Sequence, residues 1–178
     1  MVGRALAFVA LLFLGSCSSL LPPSEPLTRH EFTRAEMGLP FRIVLYAPDR
    51  LAAQAAAEVA FARIHALNAV FSDYEYDSEL SRLSRTAGSG REVPVSEDLW
   101  NVLDQAQQLA RRSEGAFDIT VGPYVSLWRR ARRQKELPSP EWVERVRPAV
   151  GFQHLRLNRR NHTAELLVPN MRLDLGGI

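Results

Sequence analysis

The stretch FRIVLYAPDRLAAQAAAEVAFARIHALNAV, residues 41–70, changes its hydrophobic period part-way along. Phe41, Ile43 and Leu45 alternate with Arg42, Val44 and Tyr46, the period of two expected of a strand with one apolar face. From Asp49 to Val70 the spacing becomes three and four. Leu51, Ala55, Val59, Ala62, Ala66 and Ala69 make the inward stripe of an amphipathic helix, and Asp49 is placed to cap it. A strand that feeds a helix predicts a mixed fold.

The chain downstream extends that pattern. Ser96 opens a helix to about Ser113, with Glu97 and Asp98 in its first turn and Arg111 and Arg112 at its negative end. Its inward residues are expected to be Leu99, Val102, Leu103, Ala106, Leu109 and Ala110, and Gly115 ends it. Ser139 and Pro140 start a third, short helix through Trp142 to Val146. Two extended runs follow, around Leu155 and Leu157 and from Thr163 to Val168, and the polar turn Asn158 to Asn161 joins them as a hairpin. Helices mixed with an antiparallel pair predict an α+β domain of layered sheet and helices rather than a doubly wound sheet.

Upstream, residues 1–16 have a basic start at Arg4, an apolar run from Ala5 to Leu14, and the small residues Gly15 and Ser16. These are the parts of a signal peptide. Ten apolar residues make roughly 15 Å of helix, about half the hydrocarbon core of a bilayer, so the run cannot span one. Leu14-Gly15-Ser16-Cys17 resembles a bacterial lipobox, which predicts lipidation of Cys17 and an exported protein anchored in a membrane, facing the periplasm or the cell exterior. The alternative is an ordinary secretory leader with a cysteine at its cleavage site. Cys17 is the chain's single cysteine, so no internal disulfide forms. Residues 17–30 read as lipidated cysteine and flexible tether, and residues 31–178 as the folded part. Ser18 and Ser19 leave the choice between inner and outer membrane open.

Without Arg4 the formal charge is 21 basic against 20 acidic side chains. A nearly neutral exported protein is not expected to meet nucleic acid. The basic run Trp128 to Lys135 therefore reads as a solvated helix face, with anionic lipid heads as a secondary option. The histidines lack metal-ligand spacing, and no nucleophile elbow is present.

Four segments carry chemistry that a bland scaffold does not need. Met37-Gly38 puts a flexible thioether beside a residue without a side chain, able to lie against a flat ring or simply to fill a core. Phe71 to Ser81 combines Tyr74 and Tyr76 with hydroxyls and acids; for most of it a helix start capped by Asp77 or Ser78 is the better reading, with Tyr74 the exception. Gly115 to Pro123 forms a rigid loop in which Asp118 needs a donor, from a ligand or from a turn it caps. Leu173-Asp174-Leu175-Gly176-Gly177-Ile178 joins an acid to glycines whose backbone can cradle a diphosphate.

Taken in order, Met37-Gly38, Tyr74 to Ser81, Gly115 to Pro123 and Asp174 to Ile178 resemble the motifs of the FAD:protein FMN transferase (ApbE) family, over about Glu36 to Ile178. The resemblance implies an ApbE-like domain that uses FAD and Mg²⁺, joins FMN to a threonine or serine of a target protein, and releases AMP. It implies that Met37 and Tyr74 line the flavin, that Ala116, Phe117, Asp118 and Asp174 contact FAD, and that the Gly177 carbonyl reaches Mg²⁺. Leu39 and Tyr76 depart from the family pattern without touching these roles. The family motif continues past Ile178, where the catalytic residues and further metal ligands are expected. The reading is thus of the N-terminal part of a longer domain. An FAD pyrophosphatase and a non-catalytic flavin-binding lipoprotein are the alternatives. The 178-residue chain alone, given FAD, Mg²⁺ and a target peptide, is expected to leave the peptide unmodified; in-gel flavin fluorescence on the peptide would contradict this.

Overall fold

The computed structural model describes residues 26–177, so the leader, Cys17 and Ile178 lie outside the described residues. Strands β1 (Thr28–Glu36) and β2 (Leu39–Ala47) form an antiparallel hairpin, with Thr28 opposite Ala47 and Glu36 opposite Leu39. β1 begins at Thr28, inside the stretch that composition assigns to the tether. Its charged residues stay in water as ion pairs, Arg29 with Glu31 at 2.7 Å and Arg42 with Glu31 at 3.3 Å, while pairing to β2 supplies the order. β2 alternates as its sequence predicts: Phe41, Ile43 and Leu45 are half-buried and Arg42, Val44 and Tyr46 exposed. Met37 and Gly38 are the two-residue turn, with φ of 50° and 72°. Positive φ at both positions is the requirement of a type I′ hairpin. Gly38 meets it freely, whereas Met37 pays about 1–2 kcal/mol in this conformation.

Helix α1 (Arg50–Phe71) is capped by Asp49, whose side chain accepts a hydrogen bond from the Ala52 amide at 2.8 Å. Its inward face is not the expected one. Ala53, Ala57 and Phe61 are buried, while Leu51 and Val59 are 79% and 72% exposed. Nine of its 22 residues are alanine, so two stripes are apolar enough to face inward, and the partner decides between them. The hairpin lies on the side where Ala53 and Ala57 permit close approach. There Arg34 stacks 4.5 Å over Phe61 and donates to both Glu58 oxygens at 2.7 and 2.8 Å.

The buried core sits beyond this layer. Helix α2 (Glu79–Ser84) starts at Ser78, the residue that caps it. Helix α3 (Glu97–Arg112) starts at Ser96 and buries Leu99, Leu103, Ala106 and Ala110, with Leu109 turned outward instead of inward. Strands β3 (Val93–Pro94), β4 (Leu155–Asn158) and β5 (Thr163–Leu166) form an antiparallel sheet with β5 in the centre. The Gln107 amide pins α3 to it by donating to the carbonyls of Phe152 and Leu155 at 2.8 and 2.7 Å. Leu80, Leu83, Leu99, Leu103, Leu155 and Leu166 meet in one apolar cluster, which Met171, Leu173 and Leu175 complete. Helices α4 (Gly122–Gln134) and α5 (Pro140–Val146) pack at its side. The architecture is α+β.

The inward face of α1 is open to a direct test. Ala57→Leu should destabilise the protein by about 1–3 kcal/mol through overpacking against the hairpin. Ala55→Leu, on the exposed side, should change stability by less than about 0.5 kcal/mol. Urea unfolding of both variants measures the difference, and equal effects would reverse the assignment.

Candidate functional site

Three segments far apart in sequence meet at one end of the core. The first is the loop after α1, held by Ser72: its hydroxyl oxygen accepts hydrogen bonds from the amides of Tyr74 and Glu75 at 3.2 and 3.1 Å. The second is the loop from Gly115 into α4. The third is the segment from Met171 to Gly177, which lies against the second: the Asp174 amide donates to the Ile119 carbonyl at 2.8 Å, and Val121 bridges Arg172 in parallel. Close approach here needs Gly122, because a Cβ at that position would sit 2.4 Å from the Arg172 carbonyl oxygen.

Met171, Leu173 and Leu175 are buried, so the strand-like alternation turns Arg172 and Asp174 to the other side, toward the loop after α1. Arg129 of α4 reaches the same place. Its guanidinium donates to Asp73 Oδ2 and, at 3.1 Å, to Asp174 Oδ2, and it lies 4.2 Å over the ring of Tyr74. Arg172 donates to the Asp73 carbonyl and keeps a nitrogen 3.8 Å from its carboxylate. Burial works against the charge on Arg129, but the hydrogen bond it donates to Asp73 and the charges of Asp73 and Asp174 prevail and raise its pKa above the ordinary arginine value.

The sequence-predicted residues distribute unequally around this cluster. Tyr74 and Asp174 are in it. Tyr74 is 76% exposed, so with Arg129 on one face of its ring the other remains open to a flat ligand. Asp174 Oδ1 accepts from the Gly176 amide at 2.9 Å, which shapes the turn carrying Gly177, itself exposed. Asp118 stands in the adjoining loop, where Oδ1 accepts from the amide and hydroxyl of Thr120, both at 2.7 Å. That is a turn-capping role, and among the described residues Oδ2 has no hydrogen-bond partner. Ala116 is exposed, whereas Phe117 packs against the apolar core. Met37 stands apart from the cluster, with no hydrogen bond or ring contact to it; the hairpin tip is held to α1 by Glu36 and His65 at 3.4 Å. Sequence reasoning missed Arg129, Asp73 and Arg172. The alternation of residues 171–175 could have found Arg172, but Arg129 is hidden in a run of similar residues.

Residues 37–178 match the model of the ApbE family. The chain belongs to the ApbE family. An FAD:protein FMN transferase of Haemophilus influenzae is 34% identical over 116 residues, covering 63% of this chain and 34% of that protein. One of Chlamydia pneumoniae is 31% identical over 172 residues, covering 96% of this chain and 52% of that protein. Among solved structures, the flavin transferase ApbE from Vibrio cholerae is similar with a TM-score of 0.70 at 26% identity, over 84% of this chain and 48% of its own. The ApbE protein from Thermotoga maritima, at 24% identity and a TM-score of 0.73, shares the fold over 85% of this chain and 48% of its own. The chain spans about half or less of the length of these ApbE relatives.

Removing the guanidinium tests the cluster. Arg129→Gln leaves two nearly buried carboxylates short of a charged donor and should cost about 1.5–3 kcal/mol, the range for hydrogen bonds to charged groups. Arg132→Gln, exposed on the same helix, should cost less than about 0.5 kcal/mol. Comparable losses in denaturant unfolding would show that Arg129 holds nothing together.

Proposed function

We propose that the protein is an FAD:protein FMN transferase. The hydroxyl oxygen of a threonine or serine in a target protein attacks the phosphorus on the FMN side of the FAD diphosphate. A new P–O bond forms, the bond to the AMP phosphate breaks, the hydroxyl proton is lost, and AMP leaves. One observation carries the proposal: the Tyr74, Asp118 and Asp174 segments converge around Arg129 within the residues that match the ApbE family.

In this reading Tyr74 stacks its open face on the isoalloxazine, and Asp118 Oδ2 and Asp174 contact FAD beside it. Ala116 supplies room and Phe117 anchors the loop from below. Met37 closes on the flavin from the hairpin tip, and the strained φ at that tip supports a role for its side chain. The described residues do not fit Mg²⁺ by themselves. No three of their His, Cys, Asp or Glu side chains cluster as a metal site, and both Asp174 oxygens already accept hydrogen bonds. No step is therefore routed through the ion or through the Gly177 carbonyl. The same reading makes Cys17 the lipid anchor and the target an exported or membrane flavoprotein.

The native protein, incubated with FAD, Mg²⁺ and such a target, should release AMP in step with covalently bound FMN. AMP and free FMN without labelled target would mean a pyrophosphatase, and binding without either product a flavin carrier. Tyr74→Ala should weaken FAD binding by about two- to tenfold, read from quenching of flavin fluorescence, since aromatic stacking contributes about 0.5–1.5 kcal/mol. Cys17→Ser should remove the acyl mass that intact-mass spectrometry finds on the mature protein.

A further inference from the structure

Around the turn from α4 to α5, Trp128, Leu137 and Trp142 stand out to solvent, 53%, 82% and 44% exposed. One such residue on a surface is ordinary, but three around one turn are not. Leu137 and Trp142 line a shallow groove of about 270 Å³ with Arg130 and Gln134. The cations beside them are uncompensated. Among the described residues, Arg130, Arg132, Arg133 and Lys135 have no ion-pair partner, and Arg145 lies 4.3 Å over the ring of Trp142. Of the acids on α5 and its approach, Glu144 is taken by Arg147 at 2.7 Å, leaving Glu136 and Glu141 against five free cations.

We propose that this corner, the exposed end of α4 with the turn into α5, docks on an anionic lipid bilayer. Tryptophan, with an apolar body and one polar N–H, suits the headgroup level of a membrane, and Leu137 supplies a purely apolar tip. Guanidinium groups match lipid phosphates as paired donors. The cations surround the end of α4 and the turn into α5 instead of converging on a pocket, which fits an extended anionic surface better than a small anion. A nucleic acid would use the cations but leave Leu137 without an apolar partner. The inference rests on the function proposed above in one respect, that Cys17 keeps the domain near a bilayer. From Cys17 to Thr28 the chain can span at most about 40 Å.

The test uses the chain from residue 17 onward with Cys17→Ser, which keeps every described residue while removing leader and acyl chain. Failure of lipidation therefore cannot mimic failure of docking, and FAD titration reports the flavin site separately. Vesicles of phosphatidylglycerol and phosphatidylcholine in equal parts should co-sediment the protein and shift tryptophan emission to the blue, while pure phosphatidylcholine should do neither. Trp100 is buried and stacked on His162, so the shift reports Trp128 and Trp142. Binding should weaken with salt. Arg130→Gln with Arg145→Gln should lower partitioning about 25-fold, at about fivefold per charge, with circular dichroism unchanged. Equal binding to both vesicle types, an unshifted emission, or tighter binding to a DNA duplex than to the anionic vesicles would each overturn the proposal.

Discussion

The guanidinium of Arg129 is the joint on which the far end of the domain depends. No strand ladder links the loop after α1 to the segment from Met171 to Gly177. What joins them is Arg129, bonded to Asp73 on one side and Asp174 on the other, with Arg172 adding a bond to the Asp73 carbonyl. Three charged side chains with little solvent around them are expensive to bring together unless each finds its partners. Here the partners are supplied from three elements at once, so the geometry of each loop is set by the other two.

That joint rests on backbone packing two helical turns away. Gly122 and Arg129 are seven residues apart, close to two turns of α4, and so lie near one face. At the first position the helix touches the Arg172 carbonyl through a missing side chain; at the second it reaches over to Asp174 with a long one. The alternation of Met171, Leu173 and Leu175 into the core fixes the third partner, because shifting that register by one residue would bury Arg172 and Asp174. Core packing and site geometry are thus one arrangement seen from two sides.

What could be read beforehand follows the range of the forces involved. Asp49, Ser78, Ser96 and Ser139 cap helices through bonds to amides three residues ahead, and such local chemistry is legible in sequence. The hairpin of β4 and β5 is local in the same sense. The inward face of α1 was not legible, because alanines make two stripes nearly equivalent and the choice belongs to a hairpin that packs from outside. β1 is too charged to announce itself and exists as a strand through its pairing with β2. At the site, Tyr74 stood out as an aromatic in an acidic loop, and Asp118 and Asp174 as acids in glycine-marked loops. Arg129 did not, since its partners lie 56 and 45 residues away and its neighbours are also arginines. The basic run therefore holds residues with different fates: Arg129 turned inward to carboxylates, the others outward to solvent.

The charge balance of the cluster constrains how a flavin dinucleotide could occupy it. Arg129 and Arg172 face Asp73 and Asp174, so these four side chains sum to zero. A diphosphate arriving beside Asp174 would meet no net positive charge from them. Under the proposed function one route is open to it: Arg129 exchanges Asp174 for a phosphate oxygen, one charge-assisted bond for another, which leaves Asp174 free for a ligand hydroxyl. The contact to Asp73 can persist through that exchange, because this carboxylate also has Arg172, and the loop carrying Tyr74 then keeps its place.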